Sequence, residues 1–249
     1  MNANGHRPIE TCVLYDDKPY SVLQTFLKLT QVTSDIFFNQ KLNKSLLKFA
    51  KEQNRSHAAK IIEQELNLRL WNSIAQIRDD KNEKARATAK SETEKLINYG
   101  AQIDYKHSNE DYNEWTVLHL ACKSSNNLDF IKYLIENLKA KYTLPNGNGD
   151  YPISIASEYG QLSVVQYLHS LPETQLNVAN KDRQTPLHLA TKNYHLLIVR
   201  YLVLWGADHQ AQNTSKQTPL DIALSNKTTQ SKDEDINNKK LVHFSIIHI

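Results

Sequence analysis

One six-residue pattern recurs at an almost constant spacing and constrains the fold more than any other feature of the sequence. Its clearest copy is Thr185-Pro186-Leu187-His188-Leu189-Ala190, and related copies begin at Thr116, Tyr151 and Thr218. The first residues of successive copies are 35, 34 and 33 residues apart. A repeat of this length predicts a stack of similar units, in which each unit packs on its neighbours and no single central core is needed.

The residues of each copy indicate how the unit folds. Thr185 can cap a helix, and Pro186 suits the first helical position because the N–H that proline lacks would be unpaired there. Second apolar segments follow the first three copies, beginning at Leu128, Leu162 and Leu196. In pattern and period the chain resembles the ankyrin-repeat family. The resemblance implies an all-α solenoid of helix-turn-helix units with hairpin fingers, preceded by extra N-terminal helices.

The resemblance also divides the chain into regions. Residues 1–17 are predicted to be a mobile leader, 18–66 an N-terminal helical region, 67–230 ankyrin repeats, and 231–249 a C-terminal cap and tail. The clear repeats are expected at 115–147, 148–181 and 182–214, with a partial unit at 215–230. A terminal repeat needs a polar outer face, which the polar stretch from Lys227 to Lys240 can supply.

The N-terminal region has helical patterns of its own. Helical spacing predicts a helix from Pro19 to about Thr30, and Thr33-Ser34-Asp35 can cap a second helix that carries Phe38. A short helix over Ser45–Ala50, a turn at Asn54–Ser56 and a helix to Leu66 follow in the order of an ankyrin pair. This pair is either a degenerate capping repeat or an unrelated helical hairpin.

A weaker unit is expected between this pair and the clear repeats. Leu70–Ala75 matches the hexapeptide at its closing Ile-Ala, and the charged stretch Arg78–Lys90 is predicted to lengthen the turn of this unit. Gly100 resembles the glycine that closes the second helix of ankyrin units, a place that suits glycine because it adopts the left-handed conformation freely. The same ending returns at Gly206.

Four segments correspond to the fingers of the family: His107–Glu114, Pro145–Asp150, Asn180–Gln184 and Asn213–Gln217. Arg183 and Lys216 stand where the family usually has glycine, so those turns are either strained or differently shaped. The family binds partners on the concave surface formed by the fingers and the first helices, and Trp115 and Tyr159 are the expected anchors, although Trp115 can instead pack under its own finger. Carried over by position, the expected partner-binding residues are Trp115, Lys123, Ser124, Asn148, Asp150, Glu158, Tyr159, Lys181, Asp182, Gln184, Lys192, Asn193, Thr214, Ser215 and Gln217.

The sequence lacks the patterns that indicate catalysis or the binding of a metal or cofactor. His119 and His188 occupy the fourth hexapeptide position, where the family uses histidine to tie adjacent repeats together. No zinc-site spacing is present, and Asn146–Asp150 lacks both the Gly-Lys-Ser/Thr of a phosphate loop and the terminal Glu of a calcium loop. We therefore predict a protein that is not an enzyme and that binds no cofactor and no metal.

The charge, the cysteines and the hydropathy of the chain indicate which partners and which compartment to expect. A net charge of +3 is too small to indicate nucleic acid as a partner. Cys12 and Cys122 do not form a disulfide framework, which favours a reducing compartment such as the cytoplasm. Residues 1–30 lack the pattern of a secretory signal, and the longest apolar run is shorter than a membrane span. The expected protein is soluble and monomeric, and its partner is another protein.

Three more specific hypotheses remain open. The frequent Asn, Lys and Ile residues, and the acidic cluster Asp233-Glu234-Asp235 before an apolar C-terminus, resemble ankyrin effectors that intracellular bacteria deliver into host cells by a non-classical system. Alternatively, residues 18–66 form a small enzymatic or complex-docking module that the repeats target to its substrate. A third possibility is a scaffold that self-associates through Leu241–Ile249.

Overall fold

A computed structural model describes residues 8–15, 38–39, 44–77, 83–124 and 127–225 of the chain. The described residues divide into two compact units, one within residues 1–105 and one within residues 106–249.

The N-terminal unit begins with helix α1 (Pro8–Tyr15), which contacts helix α2 (Leu46–Glu52). Ile9 and Val13 are buried, so residues 8–15 of the predicted mobile leader form a packed helix. Phe38 lies in a two-residue strand, β1 (Phe38–Asn39), which pairs antiparallel with β2 (Lys44–Ser45). The prediction of a helix through Phe38 is therefore wrong, because its backbone bonds to another segment. The helix predicted over residues 19–30 lies outside the described residues.

The predicted pair of helices at residues 45–66 is present, but its second helix is longer than expected. Ser45 caps α2, and its hydroxyl accepts a hydrogen bond from the backbone N–H of Lys48 at 3.2 Å. Helix α3 (Ser56–Ala75) then runs for 20 residues. Its side chains Ile62, Leu66, Leu70 and Ile74 are fully buried at four-residue intervals. One continuous apolar face explains why the helix does not stop at 66.

The expectation of a weak repeat opening at Leu70 is wrong, because residues 70–75 belong to α3. The expected boundary between residues 66 and 67 falls inside this helix. Residues 83–90 of the charged stretch, predicted to be a turn, form the first half of helix α4 (Glu83–Tyr99). Alanine and the long charged residues of this stretch are good helix formers. Gly100 closes α4 with a φ of 113°, as expected.

The C-terminal unit is a row of helix pairs. The first helices are α5 (Val117–Lys123), α7 (Pro152–Glu158), α9 (Pro186–Lys192) and α11 (Pro219–Ser225). The second helices are α6 (Leu128–Glu136), α8 (Leu162–His169) and α10 (Leu196–Leu204). Each first helix packs on the next first helix, and each second helix packs on the next second helix. This stacking of helix pairs is the all-α repeat solenoid that the hexapeptide predicts.

The hexapeptide residues form the core of this unit together with the apolar residues of the second helices. Leu187, Leu189 and Ala190 are buried in the third unit, as are Leu118, Leu120 and Ala121 in the first. Pro152, Pro186 and Pro219 each begin a first helix, as predicted. The last first helix ends at Ser225, next to the predicted end at residue 226. The predicted polar cap and apolar tail lie outside the described residues.

Candidate partner-binding surface

Two histidines hold the first helices to the fingers. The backbone N–H of Thr116 donates to Nδ1 of His119 at 3.2 Å, which leaves the proton of the neutral ring on Nε2. That nitrogen donates to the carbonyl oxygen of Asp150, in the next finger, at 3.1 Å. His188 bonds to Thr185 and Gln217 in the same way. Burial lowers the pKa of His119 to about 4, so the ring is neutral at pH 7. Both histidines therefore have the structural role predicted for them.

Each of the last three finger turns is built around one asparagine. Asn146, Asn180 and Asn213 each accept, through Oδ1, backbone N–H bonds from the residues two and four positions later at 2.8–3.0 Å. An asparagine at the start of such a turn closes it locally. The prediction that Asn146–Asp150 is a finger turn is confirmed. The recurring Asn is a signal for these turns that the sequence carries and that our sequence reasoning did not use.

The turns at Arg183 and Lys216 are strained, not differently shaped. Arg183 has a φ of 57° and Lys216 a φ of 59°, while Gly149 at the equivalent place has a φ of 83°. In this left-handed region, a residue other than glycine raises the free energy of the folded state. The turn keeps the same geometry with or without glycine because the asparagine bonds fix it.

Neighbouring fingertips are joined by backbone hydrogen bonds. The N–H groups of Gly147, Lys181 and Thr214 donate to carbonyl oxygens of the preceding fingers, at 2.7, 2.9 and 2.9 Å respectively. The acceptors are Asn113, Asn148 and Asp182. These bonds fix the distance between successive fingertips.

Trp115, expected as an anchor, packs within its own finger. Only 7% of its surface is exposed, and the ring of Tyr112 meets it edge to face at 5.0 Å between centroids. The ammonium of Lys123 lies 6.0 Å from the Trp115 ring, 5.3 Å from Tyr112 and 5.1 Å from Tyr159. Lys123 thus connects the buried aromatic pair to Tyr159, which is 38% exposed. Tyr159 keeps the exposure that an anchor needs.

The other expected partner-binding residues differ in exposure. Ser124 and Asp150 are buried, and Asp150 accepts a hydrogen bond from Nδ2 of Asn180 at 2.7 Å. These two residues, like Trp115, support the surface and do not present their side chains for contact. The partly exposed residues are Lys123, Glu158, Gln184 and Gln217, and the exposed ones are Asn148, Tyr159, Lys181, Asp182, Lys192, Asn193, Thr214 and Ser215.

The structure brings six of the expected residues together in one cleft of about 430 Å³. Asp182, Gln184, Thr214, Ser215 and Gln217 come from the last two fingers, and Lys192 comes from the end of α9. Asn213, Ile222 and Ser225 complete the lining. The cleft therefore offers one cation, one carboxylate and several amide and hydroxyl groups to whatever binds there.

A row of charged residues lies at the ends of the first helices. Lys123, Glu158 and Lys192 are each seven residues after the start of their hexapeptides. Burial raises the pKa of the Glu158 carboxyl, and the charge of Asp150 adds to this effect, whereas Lys192 and Lys123 oppose it. The row alternates in sign, so it favours partners whose charges alternate at the same spacing.

Burial raises the pKa of Cys122, so its thiol stays protonated, and neither cysteine takes part in a disulfide within the described residues. Among the described residues, no three His, Cys, Asp or Glu side chains are arranged to hold a metal ion. The described helices are also too short or too polar for a membrane crossing.

The comparison with known families decides the assignment. The family model described as "Ankyrin repeats (3 copies)" matches residues 85–173 and 153–234, more than half of the chain. The chain is an ankyrin-repeat protein. The match begins inside α4, so the ankyrin region includes the end of the N-terminal unit and all four hexapeptides.

Several curated proteins are similar to part of this chain. Alpha-latrocrustotoxin-Lt1a of Latrodectus tredecimguttatus is 36% identical over 100 residues, which is 39% of this chain and 7% of the toxin. Ankyrin repeat domain-containing protein 49 of Bos taurus is 45% identical over 56 residues, 22% of this chain and 24% of that protein. B-cell lymphoma 3 protein of Homo sapiens is 35% identical over 92 residues, 36% of this chain and 20% of that protein. The chain thus matches a quarter or less of each of these relatives.

Proposed function

We propose that this ankyrin-repeat protein is a non-catalytic module that binds a partner protein on the surface formed by its fingers and first helices. The cleft of about 430 Å³ carries the proposal, because side chains from two fingers and two first helices converge in it. Tyr159 lies on the same surface and is the aromatic anchor. Aromatic anchors bury a large area and have few bonds to immobilise, so they often dominate the binding energy.

Charge supports a role in choosing the partner. Lys123 is held over the ring of Tyr159, and Glu158 is the residue just before that tyrosine. A partner that buries Tyr159 therefore meets a cation and a carboxylate beside it. Charged groups at the margin of an interface govern on-rate and specificity more than affinity.

Affinity capture from a eukaryotic cytosolic lysate tests the proposal. Wild type is compared with the double variant Tyr159→Ala, Lys192→Glu, and with the control Ser163→Glu, Gln166→Ala. The control residues are exposed on α8, a second helix. A protein retained by wild type and by the control, but lost by the first variant, supports the proposal. The purified partner should then bind the first variant at least about tenfold more weakly.

Retention of the same partner by all three proteins would place the contact elsewhere. Residues 18–66, proposed alternatively as a small enzymatic or complex-docking module, or the segment Leu241–Ile249 would then be the contact. We propose that the protein is monomeric in solution. An apparent mass that rises with concentration would instead favour self-association through the terminal apolar residues.

The more specific role proposed is that of an effector delivered by a bacterium into the cytosol of a host cell. The acidic cluster Asp233-Glu234-Asp235 near an apolar C-terminus supports it. In a reporter-fusion assay, transfer into host cells should require residues 230–249. Transfer that survives their deletion would remove this support, and an unchanged capture result would show that the binding proposal is independent of it.

A further inference from the structure

A cavity of about 300 Å³ lies between the connections that follow helices α6 and α8. Tyr142 belongs to the first connection, and Glu173, Thr174 and Val178 belong to the second. Tyr151, at the start of α7, also lines the cavity. None of the residues that line the partner-binding cleft lines this cavity. Its volume is at the lower end of the range for ligand sites, which suits a single side chain.

Two of the lining residues depart from the pattern of the other repeats. Tyr151 stands at the first hexapeptide position, where the other three copies have threonine. The side chain of Thr185 caps its helix, whereas that of Tyr151 makes no cap bond. Thr174 lies six residues before the asparagine of its finger turn, at the place of Ala140 and Ala207. The second repeat therefore has an aromatic ring in place of a cap and a hydroxyl in place of a methyl group.

The hydroxyl of Thr174 is a polar group that a bound molecule can use. Its oxygen is buried and has no hydrogen-bond partner among the described residues. A buried hydroxyl without a partner destabilises the folded state, and a donor from a ligand would remove this cost. The rings of Tyr142 and Tyr151 are half-buried, so part of each remains accessible.

The charge of the cavity indicates which kind of ligand it favours. The exposed Glu173 is the only charged residue in the described lining, which contains no Lys, Arg or His. Within the described part of the chain, Glu173 also makes no ion pair. A carboxylate without a nearby counter-charge attracts a cation and repels an anion.

We propose that this cavity binds the side chain of an arginine in a partner protein. A guanidinium group pairs with a carboxylate through two parallel hydrogen bonds and also lies flat on aromatic rings. Its five N–H donors can serve Glu173 and the Thr174 hydroxyl together. The aliphatic stem of an arginine can pack on Ile153 and Val178, which complete the apolar part of the lining. A lysine ammonium is a compact point charge and uses fewer of these groups.

The arginine site does not rest on the function proposed above. It lies outside the cleft and does not involve Tyr159 or Lys192. Short peptides of known sequence test it without a lysate. Failure of this test therefore leaves the capture experiment unaffected, and failure of the capture experiment leaves the arginine site unaffected.

NMR titration of the full chain measures the binding. The first probe is the peptide Gly-Gly-Arg-Gly-Gly, blocked at both ends. Two matched probes carry lysine or citrulline in place of the arginine, because citrulline has nearly the same shape without the charge. Free arginine is the fourth probe, and it separates a site for the amino acid from a site for an arginine within a chain.

Three variants each remove one feature of the cavity. Glu173→Gln removes the charge at an exposed position. Tyr151→Thr and Thr174→Ala restore the residues of the other repeats, so both variants should fold. Asp129→Asn removes an exposed carboxylate on α6 that does not line the cavity, and it is the matched control.

We expect the arginine peptide to bind at least about tenfold more tightly than the citrulline peptide and about threefold more tightly than the lysine peptide. Glu173→Gln should weaken the arginine peptide by at least about tenfold, and Tyr151→Thr and Thr174→Ala by about threefold each. Asp129→Asn should leave its affinity unchanged.

Three results would overturn the proposal. The first is equal affinity of the arginine peptide and either matched peptide. The second is an equal loss of affinity in Glu173→Gln and Asp129→Asn, because the effect would then come from net charge. The third is tighter binding of free arginine than of the blocked peptide. Glu173→Gln changes an exposed side chain, so its comparison with Asp129→Asn stands even if a restoring variant fails to fold.

Discussion

The imidazole of His119 donates to the carbonyl oxygen of Asp150 and so joins the first helix of one repeat to the finger of the next. The third repeat has the same bond, from His188 to Gln217. The second repeat has Ser154 at this position, and its buried hydroxyl has no hydrogen-bond partner in the described chain. The three junctions are therefore unequal, and the one after the second repeat lacks its side-chain bond.

Loss of the His119 imidazole should strongly destabilise the protein. In His119→Ala the carbonyl of Asp150 loses the imidazole donor, although the N–H of Asn146 still donates to it, and a cavity replaces a ring that is fully buried. We expect a loss of about 2 to 4 kcal/mol in the free energy of unfolding, measured by urea denaturation. His209→Ala, at an exposed position, is the control and should change stability by less than about 0.5 kcal/mol.

The same ring should make the protein less stable as the pH is lowered. In the unfolded chain the imidazole takes up a proton near its ordinary pKa of 6.5, whereas the folded ring stays neutral down to a pKa of about 4. The unfolded state thus binds more protons between these values, and the free energy of unfolding decreases by roughly 3 kcal/mol as the pH falls through this window. Burial lowers the pKa of His188 in the same direction.

The variant His119→Gln isolates this contribution, because an amide does not titrate. The stability difference between wild type and His119→Gln should narrow as the pH is lowered from 7 to 5. A difference that stays constant across this range would contradict the shifted pKa.

Removal of the Ser154 hydroxyl should stabilise the protein. The hydroxyl is buried without a partner, and alanine is the better helix former. We expect Ser154→Ala to raise the free energy of unfolding by about 0.5 to 1.5 kcal/mol. Ser157→Ala is the matched control, because the Ser157 hydroxyl donates to the carbonyl of Ile153 at 2.8 Å, and it should give no such gain. Equal gains from both changes would point to helix propensity alone.

A glycine should relieve the strain at Arg183. Arg183 has a φ of 57°, at which a residue with a Cβ atom is strained and glycine is not. Arg183→Gly should therefore raise the melting temperature by an amount equivalent to about 0.5 to 1 kcal/mol in the free energy of unfolding. Arg183→Ala removes the same charge but keeps the Cβ atom, so it should show no gain. If both variants are equally stabilised, the effect comes from the charge and not from the backbone.

The finger turns closed by Asn180 and by Asn213 should differ in how much they stabilise the protein. Asn180 closes its turn and also donates to the buried carboxylate of Asp150 at 2.7 Å. Asn213 closes its turn in the same way, but its amide reaches only the Gln217 side chain, at 3.4 Å. Bonds to a charged acceptor are stronger. Asn180→Ala should therefore cost at least about 1 kcal/mol more than Asn213→Ala in urea denaturation, and equal losses would count against a role for the Asp150 bond.

The features predicted correctly from the sequence are those that contiguous residues determine. Thr185 as a helix cap and Pro186 as the first helical residue need no distant partner, and the helix begins where they predict. Gly100 closes its helix for the same local reason. The extension of α3 to residue 75 was not predicted, because the apolar face that continues through Leu70 and Ile74 is stabilised by packing on α4.

Exposure on the expected binding surface depends on neighbours that are distant in sequence. Asp150 was expected to contact a partner because of its position in a finger. It is buried because Asn180, thirty residues later, donates to it from the next finger. Trp115 is covered by Tyr112 and Lys123, which the sequence pattern did not reveal. The partner-binding role of the exposed residues remains a prediction.

The backbone hydrogen bonds from Lys181 and Thr214 to the preceding fingertips join main-chain atoms, so they do not depend on which side chains those tips carry. Other residues in place of Lys181, Asp182 or Thr214 would lie at the same spacing between fingertips as the present ones. Natural mutation or laboratory selection can therefore change which partner is recognised, while the backbone arrangement of the fingers stays the same. Such a chain can acquire a new target through a few codon changes, without first having to find a new fold.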